Sequence, residues 1–472
     1  VRSSAASDVY KRQVQGVELS RASLPESRIA VKAACGYALR TSLSTEGVVA
    51  IAKTDRKGES HSRLTASSNA RASSSKAFLQ NRVERVAPTA HCGSPSCFVR
   101  GDGRIAARSL VGEEIRAGTK LFRRPTDYRT GMAGRLRTLL VTGGCGFIGS
   151  QFVRMLVAER PETTVRVLDA LTYAGNLANL ASVESSPHFR FVHGNICDPQ
   201  DVRSAIGDGV DAIVNFAAET HVDRSILDPE AFLRTDVLGT HTLLEATREH
   251  AVSRYLQVST DEVYGDVSEG ESEEGAPLAP RSPYAASKAS GDLQVLAYAA
   301  TYQTPVVITR GSNTYGPYQF PEKIIPLFIT NLFEGNSVPV YGDGRQVRDW
   351  MHVEDHARGI LAVLEGGQLG NVYNLGGGNP QRNIDLTRRL VTLCGRNFDD
   401  AVRYVTDRPG HDRRYAVNTD KAQALGWKPA VPFESGLAAT VEWYRTNQEW
   451  WQRLKQGAFE EYYRRQYAGR GA

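Results

Sequence analysis

The run Thr142-Gly143-Gly144-Cys145-Gly146-Phe147-Ile148-Gly149-Ser150 carries the strongest structural signal in the chain. It follows the apolar stretch Leu136–Thr142 and opens a segment of helical character. Its glycines satisfy GxGxxG at 144, 146 and 149, and GxxGxxG at 143, 146 and 149. Glycine here permits a tight turn, lets backbone approach a pyrophosphate and lets the helix pack close to the strand, with the helix N-terminus facing the phosphates. Asp169 ends the next apolar stretch 20 residues after Gly149, where a carboxylate can bind ribose hydroxyls. It favours NAD over NADP, because a 2′-phosphate would meet a carboxylate instead of an arginine.

Leu136–Thr142, Val165–Asp169, Phe189–His193, Ala212–Ala217, Tyr255–Ser259 and Val306–Arg310 read as buried strands separated by helix-like intervals. Such alternation predicts an α/β protein with a doubly wound parallel sheet, a Rossmann fold with right-handed crossovers. The NAD-binding domain is expected over residues 135–312. A smaller α/β C-terminal domain, mainly substrate-binding and with segments returning to the first, is expected over 313–460. Near its end Val441, Trp443, Tyr444, Trp450, Trp451 and Leu454 predict one amphipathic helix packed on its own domain.

Residues 1–134 show no sustained helical or strand period and are rich in Ser, Arg, Ala and Gly, as in Ser67-Ser68-Asn69-Ala70-Arg71-Ala72-Ser73-Ser74-Ser75. Such a stretch buries too little apolar surface to offset its ordering entropy, and a disordered or non-native extension is expected. The first methionine is Met132, so the expected native start lies at or near it; a Ser/Arg-rich organelle transit peptide is the alternative.

The 472 residues, 41% hydrophobic, suffice for a multi-domain enzyme. No apolar run is long enough to span a bilayer and no secretory signal is evident, which makes a cytoplasmic location the default expectation. The net charge of +5 averages two unlike parts. Val1 to Gly134 hold 23 Lys+Arg against 11 Asp+Glu, or +12, and the remainder 34 against 41, or −7. The foldable part is thus acidic, and neither a nucleic-acid nor a membrane partner is inferred. Six cysteines without a CxxC pair predict reduced thiols and no metal site.

Tyr284-Ala285-Ala286-Ser287-Lys288 places a phenol and an ammonium four residues apart on one helix face. The lysine favours phenolate, a base able to take a hydroxyl proton while hydride leaves the same carbon. The spacing alone is common in solvated pairs; its place after the glycine loop gives it meaning.

With these features in hand, the sequence resembles the extended short-chain dehydrogenases/reductases. More narrowly, Asn215–Ile226, Ser259-Thr-Asp-Glu-Val-Tyr-Gly265, Tyr315–Lys323, Tyr341-Gly-Asp-Gly344, Arg348-Asp-Trp350 and Asp407–Tyr415 resemble the dTDP-glucose 4,6-dehydratase family over about Arg135 to Asn447. The resemblance implies a hydro-lyase, part of deoxysugar biosynthesis, working as a homodimer on a nucleotide sugar. Tyr284, aided by Thr260 and Lys288, would take the C4 hydroxyl proton as NAD+ accepts the C4 hydride. Glu262 would remove the C5 proton, Asp261 would protonate the departing C6 oxygen, and hydride would return to C6. Two adjacent carboxyls serve as base and acid if their environments separate their pKa values.

The resemblance further implies cofactor contacts from Gly143, Gly146, Phe147, Ile148, Gly149, Asp169, Leu171, Thr172, Asn195, Ile196, Phe216, Ala217, Ala218, Thr220, Thr235, Tyr284, Lys288 and Thr314. It implies substrate contacts from Thr220, Thr260, Asn313, Lys323, Ile324, Pro339, Val340, Tyr341, Arg348, Asn374, Asp407, Arg408 and His411. Three positions depart from the family's pattern: Asn195 and Asp236 stand where Asp and Asn are usual, and Thr314 replaces an asparagine that touches the cofactor. The alternatives are a UDP- or CDP-glucose 4,6-dehydratase, a sugar-nucleotide epimerase, and a catalytically silent nucleotide-binding protein. The pair Asp261-Glu262 argues against the epimerase, which needs no elimination chemistry.

Overall fold

The computed structural model describes residues 136–467 together with four short backbone segments nearer the start. Those segments, Arg28–Lys32, Ala38–Leu43, Val49–Thr54 and Ser60–Ser62, pair in order as an antiparallel sheet, where the sequence shows no strand period. The rest of the expected extension, with Met132, Cys35, Cys92 and Cys97, lies outside the described residues.

From Thr138 the chain alternates strand and helix. The strands are β1 (Thr138–Thr142), β2 (Thr164–Asp169), β3 (Phe189–His193), β4 (Ala212–Asn215), β5 (Arg254–Thr260), β6 (Val306–Gly311), β7 (Asn313–Tyr315), β8 (Val338–Tyr341), β9 (Val347–His352), β10 (Val372–Leu375), β11 (Pro380–Arg382) and β12 (Val402–Val405). The principal helices are α1 (Phe147–Glu159), α2 (Pro199–Ile206), α3 (Val222–Leu227), α4 (Thr240–Glu249), α5 (Pro283–Tyr302), α6 (Ile324–Phe333), α7 (Val353–Gly366), α8 (Asn383–Leu393), α9 (Phe433–Thr446), α10 (Gln448–Leu454) and α11 (Ala458–Tyr467).

Seven strands form one parallel sheet in the order β10-β6-β5-β4-β1-β2-β3. Every residue of β5 and β6 is buried, as expected for central strands covered on both faces. Strand alternation divides the core. Leu139, Val141, Val165 and Val167 face α1 and α7 through Phe152, Leu156 and Ile360, while Leu140, Leu168 and Ile213 face α4 and α5 through Leu243, Leu244 and Val295. The six strands predicted from sequence all form. The seventh, β10, was not predicted; it returns to the sheet edge from the C-terminal half.

A separate core joins α6, α8 and α9, with Phe328, Ile329, Leu386, Leu390, Leu437 and Tyr444 at its centre. Short strand pairs, β8 with β12 and β7 with β9 and β11, attach this layer beyond the C-terminal ends of the sheet strands. The single C-terminal helix predicted from Trp443 and Trp450 is instead two, α9 and α10, broken at Asn447. Both tryptophans pack on Tyr318, and Trp450 Nε1 donates to Asn179 Oδ1 at 3.1 Å, so they belong to the chain's own packing.

Candidate active site

Two adjoining clefts open at the carboxyl ends of the parallel strands. The first lies over the glycine turn. Gly143 has φ +68°, and a Cβ there would stand 2.5 Å from Ala217 N; one at Gly149 would collide with Gly143 O. Both glycines are therefore steric requirements. Gly146 caps α1 without any side-chain hydrogen bond, leaving the first-turn N–H groups to an anion. Asp169 holds the turn, its Oδ2 accepting from Cys145 N and its Oδ1 from Leu171 N, each at 2.8 Å. A lone pair on each oxygen remains for ribose hydroxyls. Burial raises the Asp169 pKa, opposed by those two hydrogen bonds.

Gly143, Gly146, Phe147, Ile148, Gly149, Asp169, Thr172, Asn195, Ile196, Phe216, Ala217, Ala218, Thr220, Thr235, Tyr284 and Lys288 line this cleft. Leu171 does not, since its backbone serves Asp169. Asn195 Oδ1 accepts from Cys197 N at 2.9 Å and keeps one lone pair for a ligand. Thr314 lies in the neighbouring cleft. Its hydroxyl donates to Ser312 O at 3.1 Å, so His356 Nδ1, 2.8 Å away, must carry the hydrogen of the second bond. This tautomer leaves His356 Nε2 a buried acceptor without a protein partner.

The carboxyl pair follows from how β5 ends. Thr260 caps a 3-10 turn, Asp261–Tyr264: its hydroxyl accepts from Glu262 N at 3.3 Å and donates to Asp261 Oδ1 at 3.2 Å. Gly265, with φ +77°, closes the turn where a Cβ would strike Ala279 O. Asp261 is 3% exposed and its Oδ2 has no protein partner. Burial, with the charges of Glu262 and Asp349 beside it, pushes this carboxyl up to about 8. Burial raises Glu262 as well, but Arg408, Arg348 and Lys323 oppose it. Burial thus raises both carboxyls, with neighbouring like charges adding to the rise at Asp261 and three cations opposing it at Glu262.

Tyr284 and Lys288 occupy the first turns of α5, which starts at Pro283 with Ser282 Oγ accepting from Ala285 N at 3.1 Å. Both reach the clefts from one helix face. Lys288 Nζ donates to Val258 O at 2.9 Å. Burial raises the Tyr284 pKa well above the usual phenol value, the charges of Glu262 and Asp236 raise it further, and a hydrogen bond with Thr260 opposes the rise.

The second cleft carries converging cations. Lys323 Nζ donates to Thr220 Oγ1 at 2.9 Å. Arg348 is fixed by Val347 O at 2.8 Å and Asp412 O at 2.9 Å, with its guanidinium over Tyr415. Arg408 lies 3.8 Å from Asp223 Oδ1. Thr220, Thr260, Asn313, Ile324, Pro339, Val340, Tyr341 and His411 complete the predicted wall. Asn374 and Asp407 do not line it. Asn374 is fully buried, accepting from Tyr264 OH at 2.8 Å and donating to Ser272 O at 3.0 Å, so it anchors the loop behind the carboxyl turn. Asp407 holds His411 Nδ1 at 2.6 Å and thereby orients a residue that does face the cleft.

Sequence reasoning missed His221, Asp223, Glu322, Trp350, His356, Asn383 and Tyr467 on the same wall. Tyr467 comes from α11, whose Tyr462 bonds His221 Nδ1 at 3.2 Å and whose Gln466 Nε2 donates to Tyr341 OH at 3.0 Å. The aromatic spacing of Tyr463 and Tyr467 was the available signal.

A dinucleotide fold whose lysine lines the first cleft while its phenol also reaches a second, cationic one has the architecture of an extended short-chain dehydrogenase/reductase. Residues 140–440 match the family model described as GDP-mannose 4,6 dehydratase. The dTDP-glucose 4,6-dehydratase of Streptomyces niveus is 52% identical over 322 residues, covering 67% of this chain and 95% of the relative. Escherichia coli (strain K12) dTDP-glucose 4,6-dehydratase 1 is 45% identical over 362 residues, covering 70% and 99%. Among solved structures, dTDP-glucose 4,6-dehydratase from Streptomyces venezuelae with NAD and TYD bound superposes with TM-score 0.66 at 53% identity, covering 67% of this chain and 100% of that one. A UDP-glucose 4-epimerase of Thermus thermophilus, complexed with NAD, shares 32% identity at TM-score 0.61. This chain belongs to the dTDP-glucose 4,6-dehydratase family.

Proposed function

We propose that this chain dehydrates dTDP-glucose to dTDP-4-keto-6-deoxyglucose in an NAD-dependent reaction, with its carboxyl pair dividing the elimination. When bound, NAD+ supplies the hydride acceptor for C4 and afterwards the donor to C6. The unpartnered first-turn N–H groups of α1 and the clamped Asp169 fit its pyrophosphate and ribose. Tyr284, with Thr260 beside it, takes the C4 hydroxyl proton. The 4-ketone acidifies C5–H, Glu262 removes that proton, and Asp261 protonates the leaving C6 oxygen. Lys323, Arg348 and Arg408 hold the diphosphate. The carrying observation is that two adjacent buried carboxyls, Asp261 and Glu262, sit among unequal charges, the first beside other carboxyls and the second among cations, which suits the acid and base that elimination requires and simple epimerisation does not.

Incubation with dTDP-, UDP- and CDP-glucose in parallel tests the reading: dTDP-glucose is expected to give the 4-keto-6-deoxy product fastest, and no product from any of them overturns it. Glu262→Gln should also stop exchange of the C5 proton with solvent; unchanged exchange would remove Glu262 from the role of base.

A homodimer and a cytoplasmic location belong to the same proposal. No helix among the described residues is long and apolar enough to cross a membrane. Leu227, Leu233, Leu238 and Leu293, 50 to 58% exposed, lie on α3, α5 and the helical turn Leu233–Gly239, which pack together, and such a patch suits a second copy. Leu293→Glu should yield a monomer by analytical ultracentrifugation, and an unchanged sedimentation coefficient would place the interface elsewhere.

A further inference from the structure

Asp236 is a buried acid to which the chemistry above assigns no step. It is 3% exposed and sits in a π-helical segment, Leu233–Gly239, a local widening of the helix that recurs at functional sites. Helix α5 approaches this segment closely at Gly291, where a Cβ would stand 3.1 Å from Asp236 O. Asp236 Oδ1 accepts from Glu219 N at 3.0 Å, and Oδ2 meets Ser287 Oγ at 2.5 Å. The same Ser287 hydroxyl lies 2.8 Å from the carbonyl of Tyr284.

Ser287 has one hydrogen and two acceptors to serve. With Asp236 ionised, that hydrogen goes to the carboxylate. With Asp236 protonated, the carboxyl donates to Ser287 Oγ and the serine hydrogen turns to Tyr284 O. The protonation state of Asp236 is thus wired to the first turn of the catalytic helix by a hydroxyl reversal, besides acting through its charge. The titratable groups around it are Glu219 after β4, Cys197 after β3, and Tyr284 and Lys288 on α5.

We propose that Asp236 is a positioning residue for the hydride-transfer base, and that its carboxylate sets the pH range in which Tyr284 accepts a proton. Burial lifts Asp236 to about 6, opposed by Lys288, Ser287 and the Glu219 N–H. Its ionised form raises Tyr284 in turn, so Asp236 holds the base in reserve as pH rises through 6. The proposal rests on Tyr284 being that base.

The test is kcat against pH for the NAD-loaded enzyme and for Asp236→Asn, whose amide oxygen still accepts from Glu219 N and whose amide nitrogen donates to Ser287 Oγ, as the protonated acid does, with no charge. Removing the negative charge should move the rising limb about one unit toward lower pH, with KM within about twofold. Superimposed limbs would overturn the proposal. If Asp236→Asn fails to fold, Ser287→Ala serves instead: loss of the hydroxyl disfavours the carboxylate and should shift the limb the same way by a smaller step, and no shift again refutes it. Tyr284→Phe separates the two layers. Wild-type turnover in that variant would remove the base assignment itself, whereas loss of turnover combined with superimposed limbs removes only the role of Asp236.

Discussion

Replacing Asp261 by Asn should make the protein more stable and far less active, and the stability gain should depend on pH in a defined way. The carboxyl rises from its ordinary 3.8 to about 8 in the fold, principally through burial. A group bound more tightly to its proton in the folded state contributes stability below the unfolded pKa, and that contribution is lost as pH rises through the folded pKa. Between pH 3.8 and pH 7 lie about three units at about 1.4 kcal/mol each, so Asp261 costs roughly 4 kcal/mol at pH 7 relative to its fully protonated state. Asparagine resembles the protonated acid in shape and never ionises. Urea unfolding should therefore show the variant stabilised by up to about 4 kcal/mol at pH 7 and by almost nothing at pH 4. Turnover should fall about 10²- to 10³-fold, the range of a lost general acid, while C4 oxidation continues and reduced nicotinamide accumulates in the absorbance spectrum. A variant less stable at pH 7, or a gain equal at pH 4 and pH 7, would refute the burial argument. Turnover near that of the wild type would remove Asp261 as the acid.

In a pH–rate profile at saturating substrate, turnover of the wild-type enzyme should rise about tenfold per unit as Tyr284 loses its proton and level off near pH 8, where ionisation of Asp261 offsets that gain; a continued rise through pH 9 would remove Asp261 as the acid. Gly149→Ala places a methyl group against Gly143 O and should yield folded protein without bound NAD, read as nucleotide released on denaturation. Arg348→Lys keeps the charge but gives up the paired contacts to Val347 O and Asp412 O, and KM for dTDP-glucose should rise about tenfold with kcat less affected.

The Rossmann half was legible because its signals are local. Each predicted strand is a short β-branched run, and the glycine turn carries its spacing within nine residues. Strand β10, Val372-Tyr-Asn-Leu375, was not, because four residues with a central asparagine show neither alternation nor an apolar run. The cationic cleft is the opposite case. Lys323, Arg348 and Arg408 meet there from three separate elements, and no period in the chain announces such a convergence. Asn374 and Asp407 illustrate the limit of reasoning from resemblance: it assigns each to the substrate, yet each acts one contact away from the cleft, on Tyr264 and His411 respectively. Tyr284 and Lys288 are legible from spacing, but the electrostatics of Tyr284 depend on burial and on Glu262 and Asp236, which only folding brings near.

Helix α11 bears on the order in which the protein becomes competent. Every residue lining the dinucleotide cleft precedes position 324, whereas the sugar cleft is bounded by Tyr467. During synthesis the walls that recognise the cofactor therefore emerge well before the pocket for the sugar has its last side. A chain stopped short of α11 would keep all the lining of its dinucleotide cleft while facing the sugar with an open flank. Cofactor recognition and sugar recognition are thus completed at different points along the chain, the second only once α11 is in place.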